Sequence, residues 1–219
     1  MLDRLLAIIA PHYCSGCGEI GDVLCDCCKN NIQDEVLSVC IYCRKFVKSA
    51  NLCAEHNLPY SMGYVVGFRE KSLLRLIDDF KFHRNIQASR AVAELIHNRL
   101  PDINQVIIIP TPTTPRNIRV RGYDQMVLVA KDLSKLRNWP VKQVLIRQNN
   151  TTQHFIKSAS KRKKQAKNFF KIDVKLDPAK TYLLIDDILT TGSTIQAAAE
   201  CLRSAGAVTI VVAVIALQK

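Results

Sequence analysis

The chain has 219 residues, 48% of them hydrophobic, enough for a full-sized core and against general disorder. Its net charge of +12 points to an anionic partner: nucleic acid, a phosphorylated small molecule or an anionic membrane surface. Residues 2–10 are apolar but short and carry Asp3 and Arg4, and the closing run 208–217 is too short to span a bilayer. The expectation is a cytoplasmic protein without membrane insertion.

Eight of the nine cysteines fall between Cys14 and Cys53, in C-x-x-C spacing that reads as metal binding rather than a secreted disulfide framework. Cys14/Cys17, Cys25/Cys28, Cys40/Cys43 and Cys53/His56 make four ligand pairs, enough for two tetrahedral structural zinc sites. Full protein ligation leaves no position for an attacking water. Cys27 competes with Cys28 as the ligand. Neighbouring pairs can close each site, or the first joins the third and the second the fourth. The interval from Cys17 to Cys40 is near zinc-ribbon spacing and favours that interleaving. Residues 1–58 are expected to form this cysteine-rich unit, with Leu58-Pro59 as the joint to a second domain, 59–219.

From Met62 the pattern changes to alternating strands and helices. Strands are expected at 62–68, 106–109, 144–146, 181–185 and 208–217, and helices at 72–82, 88–100, 125–136 and 195–202. The apolar run 106–109 has no polar alternation, as in a strand buried on both faces. Such an order implies a parallel sheet covered by helices on both sides, with ligands at the carboxyl ends of the strands. The loop 110–122 carries Thr111, Arg116, Arg119 and Arg121, suited to hold two phosphate groups. Asp124 is a possible N-cap competing with any ligand role. Lys81, at the end of a helix, either reaches the same phosphates or complements the helix dipole.

Between Asp132 and Asp173 there is no acidic residue, while Lys157, Lys161, Arg162, Lys163, Lys164, Lys167 and Lys171 crowd the second half of that interval. This basic arm is a lid over phosphates, an electrostatic strip for nucleic acid, or solvated charge.

The most informative stretch is Tyr182-Leu183-Leu184-Ile185-Asp186-Asp187-Ile188-Leu189-Thr190-Thr191-Gly192-Ser193-Thr194. A strand runs into two carboxylates, then a small-residue loop, then a helix. Backbone N–H groups of residues 190–194, aided by the positive helix end, can hold one phosphate. Asp186 and Asp187 can accept hydrogen bonds from sugar hydroxyls. This string resembles the 5-phosphoribosyl-1-pyrophosphate (PRPP) signature of type I phosphoribosyltransferases.

Cysteine pairs ahead of such a domain, with Lys81-Phe82, Arg121-Gly122-Tyr123-Asp124-Gln125 and Arg147…Gln153…Arg162-x-x-Gln165…Phe170, resemble the ComF family over essentially the whole chain. The family usually has Asn where Asp124 and Gln165 stand, and Cys where His56 stands. The resemblance implies a phosphoribosyltransferase-like fold behind zinc ribbons and binding of PRPP with Mg²⁺. It implies a role in handling imported single-stranded DNA at the inner face of the membrane, with the ComFA helicase and DprA as partners. On that basis Asp186 and Asp187 are expected to be catalytic. Thr111, Arg119, Arg121 and Lys81 are expected near the pyrophosphate, Thr190, Thr191, Gly192, Ser193 and Thr194 at the 5-phosphate. Single-stranded DNA is expected on Lys161, Arg162, Lys163, Lys164 and Lys167. The other activity consistent with the signature is phosphoribosyl transfer to an unidentified acceptor.

Overall fold

The computed structural model describes residues 12–35, 38–48, 51–148 and 169–218. The basic run Lys161, Arg162, Lys163, Lys164 and Lys167 lies outside the described residues.

Four parallel strands form the central sheet: β3 (Met62–Phe68), β4 (Val106–Pro110), β7 (Thr181–Leu189) and β8 (Thr209–Leu217), in the spatial order β3-β8-β7-β4. Every residue of β4 is buried, as expected of a run without polar alternation. On one face lie helices α2 (Lys71–Phe82), α3 (Ala88–Arg99) and α5 (Gln125–Arg137), whose Leu76, Ile77, Val92, Leu95, Val129 and Leu133 share one apolar cluster with the sheet. On the other lies α6 (Ser193–Ser204), where Ala197, Ala198 and Ala199 allow close approach to the strands. The parallel α/β sheet with both faces covered is therefore as the sequence predicts.

Three local expectations change. β7 does not stop at residue 185; it pairs with β8 through Leu189, so the acidic pair is part of the strand. The loop 110–122 contains a helix, α4 (Pro115–Arg121), with Thr114 Oγ1 accepting from Asn117 N at 3.2 Å, Pro115 in the first turn and Gly122 closing it in the left-handed region at φ +89°. The strand expected at 144–146 is a two-residue β5 (Ile146–Arg147), paired antiparallel with β6 (Phe170–Lys171).

The cysteine-rich segment starts with a small ribbon, β1 (His12–Tyr13) against β2 (Ile20–Gly21), followed by α1 (Asp26–Gln33). It contributes to both faces of the main core: Cys14, Val23, Leu24, Cys28 and Ile32 join the α2/α3/α5 side, and Ile41 joins the α6 side. Polar contacts add to this. Ser15 Oγ donates to Asp79 Oδ2 at 2.6 Å, Lys29 pairs with Glu94 at 2.6 Å, and Arg99 Nη2 donates to the carbonyls of Ile32, Glu35 and Val66.

Candidate functional site

The carboxyl ends of β4 and β7 lie side by side, with Thr111 N donating to Ile185 O at 3.0 Å, and a pocket of ≈ 230 Å³ opens there. Of the residues expected at the anion site, Lys81, Thr111, Arg121, Asp186, Asp187 and Thr194 line this pocket. Thr190, Thr191 and Gly192 form the turn between Leu189 and α6, and Ser193 opens that helix, adjoining the lining at Thr194. Arg119 does not line the pocket. On the α4 helix Asn117 and Arg121 are four residues apart and share the pocket face, whereas residue 119 falls on the opposite side.

Sequence reasoning did not assign Thr113, Thr114, Asn117, Gln125 and Arg147, which also line the pocket. The Thr114-Pro115…Gly122 capping pattern was the available signal for the helix that delivers Asn117. Arg147 reaches the mouth from β5, its guanidinium donating to Pro112 O at 3.3 Å and lying 5.6 Å from the Phe170 ring. Asp124 is an N-cap, accepting from Met126 N and Val127 N, and its second oxygen accepts from Thr113 N at 3.0 Å. It therefore fixes the wall of the pocket through the backbone on both sides.

The two aspartates differ. Asp186 Oδ1 accepts from Thr111 Oγ1 at 2.6 Å and from the Asp187 amide at 3.0 Å. Burial, with the Asp187 carboxylate beside it, pushes Asp186 up to about 7, against the opposing pull of Thr111, the Asp187 N–H and Lys81. Asp187 is ion-paired with Lys81 at the pocket wall, and its own side chain keeps 27% exposure. The pair faces the cavity rather than the apolar core, so both groups can reach a ligand.

A raised carboxyl means that the folded state holds the proton more tightly than the unfolded chain. The associated stability is full below pH 4 and is lost as pH rises through about 7. Asp186→Asn keeps an acceptor oxygen for Thr111 and the Asp187 amide but removes the charge. It is expected to stabilise the protein by up to about 4 kcal/mol at pH 8, on the order of ten degrees in Tm, and to leave Tm nearly unchanged at pH 4. Thermal melts at the two pH values check this, and equal shifts at both would contradict it.

Among the described residues, none of the amide N–H groups of 190–194 donates to a protein acceptor. The Thr191 and Ser193 hydroxyls bond each other at 3.2 Å, and Gly192 holds φ +77°, the left-handed turn that starts α6. Unengaged amides at a helix N-terminus suit an anion.

Away from the pocket, the cysteines form two clusters. Cys14, Cys17, Cys25 and Cys28 have ligand atoms within 4.8 Å of one another, as do Cys40, Cys43, Cys53 and His56. The interleaved pairing is thus replaced by closure of neighbouring pairs. Cys28, not Cys27, completes the first set; Cys27 is exposed. Sulfur separations of 3.7 Å (Cys17–Cys25 and Cys53–Cys40) and 3.6 Å (Cys43–Cys53) match the tetrahedral edge of about 3.8 Å implied by Zn–S bonds near 2.3 Å. Gly16 N and Cys25 N each donate to Cys14 Sγ at 3.3 Å; burial raises this thiol, but the backbone donors outweigh it and bring it down to about 6. His56 Nε2 is buried with no hydrogen-bond partner among the described residues. These donor sets fit zinc.

A phosphoribosyl transferase domain model matches residues 140–219. The chain is 26% identical over 209 residues to Competence protein F of Haemophilus influenzae, spanning 83% of this chain and 91% of that protein. It is 30% identical over 171 residues to DNA utilization protein YhgH of Shigella flexneri, spanning 72% of this chain and 73% of that protein. Among solved structures it is similar to one titled as the allosteric regulatory enzyme of purine biosynthesis, at 17% identity and a TM-score of 0.41, over 57% of this chain and 25% of that one. No helix among the described residues is long and apolar enough to cross a membrane.

Proposed function

Because this chain belongs to the ComF family, whose relatives carry the names Competence protein F and DNA utilization protein, we propose that it is a competence factor that handles single-stranded DNA and holds PRPP in the pocket at the ends of β4 and β7. The observation that carries this reading is the placement of an acidic pair and a run of unengaged amides at one mouth. In it, residues 190–194 take the 5-phosphate and Asp186 and Asp187 accept from the ribose hydroxyls. Lys81, Arg121 and Arg147 face the pyrophosphate, which Mg²⁺ accompanies. Any transfer chemistry on this site rests on positioning and charge: the cations favour departure of pyrophosphate from the anomeric carbon as an acceptor approaches. Lys161, Arg162, Lys163, Lys164 and Lys167 supply phosphate contacts for DNA, and a ComFA-type helicase and DprA are the partners this role implies.

The test is incubation of the full chain with PRPP, Mg²⁺ and single-stranded DNA, followed by mass analysis and titration at several salt concentrations. PRPP binding and DNA affinity that falls at least tenfold between 50 and 200 mM salt are expected. Pyrophosphate with a ribosylated product would turn the reading to a transferase. Absence of PRPP binding would overturn the pocket assignment.

A further inference from the structure

One side chain joins the second cysteine cluster to the pocket. Both clusters begin with the same turn: Gly18 N donates to Cys14 O, and Arg44 N donates to Cys40 O. The fourth residue after the first cysteine is left-handed in each, at φ +81° for Gly18 and φ +66° for Arg44. Glycine adopts that conformation without cost, whereas a residue with a long side chain does so under strain. An arginine at a position that favours glycine calls for a compensating contact, and the structure supplies one. Arg44 Nη2 donates to Leu189 O at 3.4 Å and to Thr190 O at 3.2 Å, across 145 and 146 residues of sequence. Nη1 is buried and has no acceptor among the described residues.

The two carbonyls are the last of β7 and the first of the anion loop. In a trans peptide the C=O and the following N–H point in opposite directions. Holding Leu189 O and Thr190 O toward Arg44 therefore turns the N–H groups of Thr190 and Thr191 away from it, outward from the cysteine cluster. Gln218 N also donates to Leu189 O at 3.0 Å, so the base of the loop is fixed from two sides.

Resting on the PRPP reading above, we infer that Arg44 is a positioning residue: the second cysteine cluster holds it, it orients the loop amides, and filling of Cys40, Cys43, Cys53 and His56 favours anion binding at residues 190–194. By linkage the converse also holds, and the anion favours retention of the metal.

The test uses the full-length, zinc-loaded chain as wild type, Arg44→Gln, Arg44→Lys and Cys53→Ser. Backbone ¹⁵N order parameters are measured first, without ligand. For residues 190–194 they are expected to fall from about 0.85 toward 0.6 in Arg44→Gln and Cys53→Ser, with Arg44→Lys between, while α5 stays unchanged. Zinc content of Arg44→Gln is expected to equal that of wild type. Calorimetric titration with Mg²⁺-PRPP is then expected to show about tenfold weaker binding in Arg44→Gln. Unchanged order parameters in Arg44→Gln would overturn the inference whether or not PRPP binds. A loosened loop with undiminished PRPP affinity would overturn the coupling. A loosened loop in a protein whose wild type ignores PRPP would leave Arg44 as the tie between cluster and loop and overturn the PRPP reading instead.

Discussion

Replacing Asp187 with alanine is expected to weaken PRPP binding at least about 100-fold, with calorimetry in the presence of Mg²⁺ as the measurement. A carboxylate accepting from two ribose hydroxyls makes two charge-assisted hydrogen bonds, each contributing about 1.5–3 kcal/mol. Asp187 keeps partial exposure to the pocket, so on the PRPP reading it is the first of the two acids that a ribose diol meets. Asp186, engaged by Thr111 and by the Asp187 amide, lies deeper and holds the floor. Loss of Asp187 also strips Lys81 of its ion partner, and that lysine is only 12% exposed. The variant should therefore melt lower as well, and so should Asp187→Asn, which removes the same charge. The amide keeps an oxygen for the Ile188 N–H, now at 2.6 Å, but not the charge. It should bind PRPP with intermediate affinity. Wild-type affinity in Asp187→Ala would remove the ribose-binding role.

How legible the site was depended on whether its signals were local. The strand-acid-loop-helix string carries its own geometry, so Asp186, Asp187 and Thr194 were found at their pocket from sequence alone. Arg119 and Arg121 looked equivalent because a basic loop has no facing; once residues 115–121 coil into a helix, only the 117/121 face meets the pocket. Arg147 depends on a two-residue pairing with Phe170, a contact without periodicity to announce it. The cysteine pairing failed for an energetic reason. Closing 17 to 25 rather than 17 to 40 differs in loop entropy by only about 1 kcal/mol, so spacing scarcely discriminates. What decides is the β1/β2 ribbon and α1, which turn the chain back at once and bring Cys25 and Cys28 beneath Cys14. Arg44 was invisible in the same way, since its partners are 145 residues distant.

Stripping metal from the two cysteine clusters is expected to lower stability more than any of the substitutions above. With a strong chelator under reducing conditions, the main thermal transition should fall by more than about 20 °C or lose its cooperativity. Structural zinc contributes about 10–16 kcal/mol in isolated zinc-binding peptides, comparable with the whole net stability of a domain, about 5–15 kcal/mol. Here the loss would not stay confined to the ribbon. Cys14 and Cys28 belong to the same apolar cluster as Leu76, Val92 and Leu133, and Cys28 sits on α1 between the ribbon and α3. Without an ion, burial pushes the Cys28 thiol up to about 12, so three close sulfurs surround a group that resists ionising. The second cluster touches the other face through Ile41 and the anion loop through Arg44. Cys28→Ser should accordingly lower Tm more than Cys53→Ser, although each removes one equivalent of zinc by atomic absorption. Scanning calorimetry makes the comparison directly. Equal melting temperatures for the loaded and the stripped chain would mean that the apolar core alone holds these segments, and the assignment of structural metal to both clusters would fall.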